Sequence, residues 1–195
     1  MTTSVSTTAQ PTIKAFNAKA QLDSVSQYVA TELDGPQLYV GTYRKYNEGS
    51  LFGAWIDLES VDDYDEFLKV CSMLHSDEEN PEFMFQDFQG FPKDLYSECL
   101  DEDTFGKIKE YLSLGDEKEA FEAYMDTTGD DDIDRFHDRY MGEWDSEEDF
   151  AEHFVEECYP EIENSKLGIY FDYSKFARDL FYDYTFWDGH VFSNY

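Results

Sequence analysis

A formal net charge of −31, from 45 Asp and Glu against 14 Lys and Arg in 195 residues, most constrains what this chain can fold into. Charge that lopsided opposes compaction, and chains that combine it with few aromatic residues stay disordered. Here 17 Phe, 15 Tyr and 3 Trp oppose it with large apolar rings. The chain is therefore expected to fold, at a length that suits one or two ordinary domains. The same charge repels nucleic acid and anionic membrane, so an electrostatically driven partner must be basic.

Three cysteines, Cys71, Cys99 and Cys158, lie far apart, with no paired CxxC spacing. They fit neither a disulfide framework nor a zinc site, and they suit a reducing cytosol. Met1 to Gln10 carries no Lys or Arg and leads into no apolar run, so no signal peptide is expected. No stretch approaches the roughly 18 apolar residues of a membrane span. The expectation is a cytoplasmic protein.

The charge is unevenly distributed. Up to Pro36 there are two Lys and three acids, leaving 42 acids and 12 bases in residues 37–195. Residues 1–36 thus read as an N-terminal extension, disordered through about residue 12. Leu22, Val25, Val29 and Leu33 then fall at helical spacing from Ala18 to Leu33. That segment is either a docking helix or a loosely attached extension, ended by Gly35-Pro36. Leu38 to Tyr43 and Leu51 to Leu58 read as a hairpin turning at Asn47-Glu48-Gly49. Ser60 with Asp63 suggests a capping box opening a helix whose apolar face is Tyr64, Phe67, Leu68, Cys71 and Leu74. Glu82 to Gln89 alternates like a strand. Helices are expected over about Asp103–Leu114, over Asp116–Met125 with an Asp116/Glu119 cap and a stop at Gly129, from Ser146 to Cys158, and over Tyr173–Tyr182. Two short strands turning at Asp188-Gly189 finish the chain. Strands and helices without regular alternation argue for an α+β fold.

Catalytic patterns are missing. There is no phosphate-binding glycine loop, no HExxH and no GxSxG, so no enzyme is expected, and no cofactor. Asp130, Asp132 and Asp134 mimic the first ligands of a calcium loop, but Arg135 stands where the sharp turn needs Gly and Met141 where a bidentate Glu is required. The four histidines, His75, His137, His153 and His190, read as isolated, so no metal site is expected. Acids dominate instead. Glu143 to Glu161 holds nine of them and no Lys or Arg. Glu148, Glu152 and Glu156 form one helical stripe with charges about 6 Å apart, a spacing that costs about 0.2–0.5 kcal/mol per pair. A solvated face, salt adaptation and imitation of a polyanion all remain open on residue chemistry. At one duplex charge per about 1.7 Å, the 30 net negatives after residue 36 could imitate at most about 15 base pairs.

Longer strings carry a resemblance. Leu38-Tyr39-Val40-Gly41-Thr42-Tyr43, Lys45-Tyr46-Asn47-Glu48-Gly49-Ser50-Leu51 and Gly53-Ala54-Trp55 resemble the opening of the ArdA family of antirestriction proteins. Asp77-Glu78-Glu79, Pro81 to Asp87, Gly90-Phe91-Pro92, Tyr170 to Tyr173, Ala177 to Leu180 and Asp188 to Phe192 continue the match in order. The resemblance implies an elongated, curved chain of three small α+β domains, about 37–100, 101–142 (mainly helical) and 143–195. It implies a protein of mobile genetic elements that copies B-form DNA and occupies the DNA-binding groove of type I restriction-modification enzymes. The acids expected to form the mimicking surface are Asp62, Asp63, Glu66, Asp77, Glu78, Glu79, Asp130, Asp131, Asp132, Glu147, Glu148, Glu152 and Glu156. The alternative is an acidic module for another basic partner, such as a nucleoid protein. A homodimer is expected, joined near C-terminal aromatics such as Phe186, Trp187 and Phe192.

Overall fold

Leu38 and Val40 are fully buried, and so are Gln37 and Thr42 beside them, because the strand they form (β1, Gln37–Thr42) is the middle of a three-stranded sheet. The computed structural model describes residues 15–31, 35–166 and 168–195. It divides into two compact units, one up to Leu112 and one from Ser113.

In the first unit a short helix (α1, Ala18–Ser24) precedes β1. A five-residue helix (α2, Tyr43–Asn47), capped by the Thr42 hydroxyl, links β1 to β2 (Ala54–Asp57). The expected hairpin therefore pairs as anticipated but is joined by a helical turn and a loop instead of a tight turn. Helix α3 (Tyr64–Leu74) lays Phe67, Val70, Cys71 and Leu74 into the core, and β3 (Phe83–Gln89) completes the antiparallel order β2-β1-β3. Phe67 sits between Phe85 of β3, at 5.5 Å, and Phe105 of α4 (Glu102–Ser113), at 5.2 Å.

Two expectations change here. The cap of α3 is Asp63 and not Ser60, with Glu66 N–H donating to Asp63 Oδ1 at 2.8 Å. Ser60 ends a 3₁₀ turn and donates its hydroxyl to the Asp57 carbonyl, and buried Val61 keeps the chain extended before the helix. The N-terminal helix stops at Ser24, well short of Leu33, which lies outside the described residues. Val25 is fully buried and Val29 pairs with Ile56, so residues 15–31 are not a loose extension.

The second unit starts with a 3₁₀ turn at Gly115–Glu117, which shifts the next helix to Lys118–Thr128 (α5) and replaces the expected Asp116/Glu119 cap. Gly129 stops α5 in the left-handed region, its N–H returning to the Met125 carbonyl, as only a residue without Cβ does cheaply. Helix α6 (Ile133–Arg139) runs into β4 (Tyr140–Glu143), a strand with no sequence forewarning. Helices α7 (Glu147–Cys158), α8 (Pro160–Glu163) and α9 (Tyr173–Leu180) follow. Strands β5 (Tyr184–Trp187) and β6 (His190–Ser193) pair through the Asp188-Gly189 turn, both residues at positive φ, and the sheet order is β4-β6-β5. Tyr124, Phe121, Phe136 and Phe192 form the buried aromatic core. Phe192 therefore belongs to the core, whereas Trp187 is half-exposed.

Candidate functional site

Helix α7 displays charge because its sequence separates two faces. Phe150, Ala151 and Val155 are buried, with Phe150 against Phe181 and Tyr184. Ser146 caps the helix reciprocally with Asp149: the Asp149 N–H donates to the Ser146 hydroxyl, which donates to the Asp149 carboxylate at 2.6 Å. Glu147, Glu148 and Asp149 lie in the first turn, where the helix dipole favours anions. Glu148, Glu152 and Glu156 follow one another along the exposed face. Glu148 accepts a hydrogen bond from Ser174 Oγ at 2.7 Å. Among the described residues, no ion pair reaches Glu147, Glu148, Glu152 or Glu156. Glu156 also stands in the last turn, against the dipole.

The other predicted acids fare differently. Asp62, Asp63 and Glu79 are exposed. Asp63 caps α3, and Glu66 accepts from the Asp62 N–H and from the Tyr28 hydroxyl, so this pair organises the helix start. Asp130 and Asp132 are held by Arg135: the guanidinium Nη1 donates to Asp130 at 2.8 Å, and Asp132 caps α6 by accepting the Arg135 N–H. The Arg135 hydrogen bond holds the Asp130 carboxyl below the usual range, against a smaller opposing effect of burial. Asp131 beside them is half-buried.

Asp77 and Glu78 face inward, and this departs most from a displayed surface. Their side chains are only 11% and 5% exposed, and both accept from the buried Lys45 ammonium, at 2.9 and 2.6 Å. The third acceptor is His75 Nδ1, at 3.3 Å. Its Nε2 lies 3.3 Å from the Val40 carbonyl, which can only accept, so Nε2 carries the proton and Nδ1 is free to accept from Lys45. Phe16 and Phe52 place their rings 5.7 Å from the same ammonium. Gln21 donates to Asp77 and Thr42 to Glu78. Burial would raise the Asp77 carboxyl, but the hydrogen bonds from Lys45 and Gln21 and the Lys45 charge outweigh it and hold it low. His75, Asp77 and Glu78 could hold a cation, and the cation they hold is the ammonium of Lys45.

Sequence reading missed Lys45 and His75. The available signal was His75 standing directly after the apolar stripe that ends at Leu74, one step beyond an otherwise buried helix face. Lys45 gives no local signal, since the acceptors of its ammonium lie at least 30 residues away.

No helix among the described residues is long and apolar enough to cross a membrane. Two small antiparallel sheets, their packed helices and an exposed row of glutamates define a strongly acidic α+β chain. Residues 38–192 match the family model for the antirestriction protein ArdA, and the chain belongs to that family. Membership implies an antirestriction function and, as partner, a component of a restriction-modification system; the family is not one of known enzymes. A comparison with curated proteins returns no significant match.

Proposed function

We propose that this chain imitates B-form DNA and occupies the DNA-binding groove of a type I restriction-modification enzyme, blocking restriction. The observation that carries this reading is the α7 row, in which Glu148, Glu152 and Glu156 share one exposed face without a cationic partner among the described residues. Such a row costs stability locally and is retained where a basic partner compensates it. Asp62, Asp63, Glu79 and Glu147 extend the set of exposed carboxylates, whereas Asp77 and Glu78 drop out of it. Three small modules at about 37–100, 101–142 and 143–195, in an elongated, curved arrangement, belong to this reading. So does a homodimer, since one chain covers at most about 15 base pairs. No cofactor and no catalytic group are required.

The test is a titration of the protein against a type I methyltransferase bound to labelled duplex. The expected result is displacement of the duplex, weakening as salt rises but less steeply than DNA binding itself, because carboxylates are sparser than phosphates and carry no comparable condensed counterions. Failure to displace the duplex, or an affinity indifferent to salt, overturns the reading; tight binding to a nucleoid protein instead would assign the alternative partner.

A further inference from the structure

Residues 15–31 lie outside the family-matched stretch, yet they are fastened to the first unit at several points. Val25 is fully buried, Phe16 stands edge-on to Phe52 at 5.1 Å, and Gln21 donates to Asp77. The Tyr28 hydroxyl donates to Glu66 at 3.2 Å. From there the backbone runs antiparallel along β2. Val29 bridges Ile56, the Ala30 N–H donates to the Trp55 carbonyl at 3.0 Å, and the Asp57 N–H donates to the Tyr28 carbonyl at 2.9 Å.

Those two bonds fill outward-facing groups of an edge strand, since β2 is terminal in the order β2-β1-β3. An open edge is a template for another chain unless a charge, a proline or a covering segment blocks it. β2 holds no proline, and its one charge, Asp57, lies at the end of the strand with its carboxylate accepting from the Glu59 N–H. The β3 edge has its own cover within the family-matched stretch, the Phe85 N–H donating to the Glu98 carbonyl at 3.1 Å. The β2 cover comes from residues before that stretch.

The pattern at β2 is also self-complementary. Trp55 accepts and Asp57 donates, placed symmetrically about Ile56. A second β2, related by a two-fold axis at Ile56, would put its own Asp57 N–H on the Trp55 carbonyl and its own Trp55 carbonyl on the Asp57 N–H. This reproduces bond for bond what Ala30 and Tyr28 supply.

We propose that residues 15–31 are a built-in strap that closes the β2 edge, and that without it a second copy of this chain pairs there, β2 against β2. Because two acidic chains meet at that contact, the pairing strengthens as salt rises, opposite in sign to binding a basic partner.

The test uses the full chain with the strap unseated by Val25→Asp together with Ala30→Pro, which removes the N–H held by Trp55. Light scattering over a concentration series should show an association step that doubles the mass found for the unaltered chain at the same concentration, promoted by salt. Adding Asp57→Pro should abolish that step, since it deletes the outward N–H at a backbone φ of −71° that proline already prefers. If the double variant fails to fold by circular dichroism, Ala30→Pro alone serves, with the same step expected at higher concentration. Folded protein keeping the mass of the unaltered chain at every concentration overturns the proposal, and so does association that survives Asp57→Pro.

Discussion

The segment Asp77-Glu78-Glu79 and the helix Glu147–Cys158 are both dense in acids, and their carboxylates meet opposite fates. In the first, two carboxylates turn inward and, with His75, surround one buried ammonium. In the second, the helix face that carries Glu148, Glu152 and Glu156 looks outward, and among the described residues only Ser174 reaches one of them. Composition cannot separate these cases. What separates them is whether the chain delivers a base from elsewhere: Lys45, on the short helix between β1 and β2, reaches the first set, and no base among the described residues reaches the second. Acid density therefore marks a displayed surface only where the neighbouring elements carry no cation.

The largest effect expected from this contrast is at Lys45. Lys45→Met leaves the carboxylates of Asp77 and Glu78 buried without their cation, a change that typically costs about 3–5 kcal/mol. Urea unfolding at pH 7 should show that loss, and the loss should shrink in acid as Asp77 is protonated. A variant as stable as the original would mean that water solvates this cluster, and the inward/outward distinction would fail.

His75 gives the next effect, with a sign that can be worked out. Burial, joined by the Lys45 charge, holds its imidazole down to about 4, against about 6.5 in an unfolded chain. The native state thus binds the proton less readily than the unfolded one, so stability is complete above about pH 6.5 and declines as pH falls toward 4. The decline from this residue is about 3 kcal/mol at most. Relief of general charge repulsion runs the other way, so the readout is the difference between the stability profiles of the original protein and His75→Gln. Parallel profiles would show that His75 does not carry this dependence.

The smallest effect should have the opposite sign. Glu152→Gln with Glu156→Gln removes two repulsive i,i+4 pairs from α7 and one charge from its unfavourable last turn, raising stability by about 0.4–1 kcal/mol. Glu148 is left intact because it sits in the favourable first turn and accepts from Ser174. Under the proposed function inhibition falls modestly, since exposed pairs contribute about 0–1 kcal/mol each. A variant that gains stability and keeps full inhibition would show that this row is not the contact surface, whereas complete loss from either single change would point to a focal site.

Much of this molecule is legible in its sequence. The strand at Leu38–Thr42, the apolar face of α3, the Ser146 cap, the Gly129 stop and the Asp188-Gly189 hairpin are all readable, because each is marked by a pattern of residue types within one short segment. The family was legible in the long strings between Leu38 and Phe192. Only the tertiary structure decided the rest. The cap of α3 moved to Asp63 because buried Val61 holds the preceding chain extended. The N-terminal helix gave way to a β-bridge because Val29 found Ile56 along a sheet edge, and β4 formed because β6 offered it partners about 50 residues away. Asp77 and Glu78 turned inward because Lys45 and His75, separated by 30 residues, meet beneath Phe16 and Phe52. A charge pattern records how many carboxylates must be placed. Which of them face water depends on cations and rings brought from distant parts of the chain, and those distances close only when the chain folds.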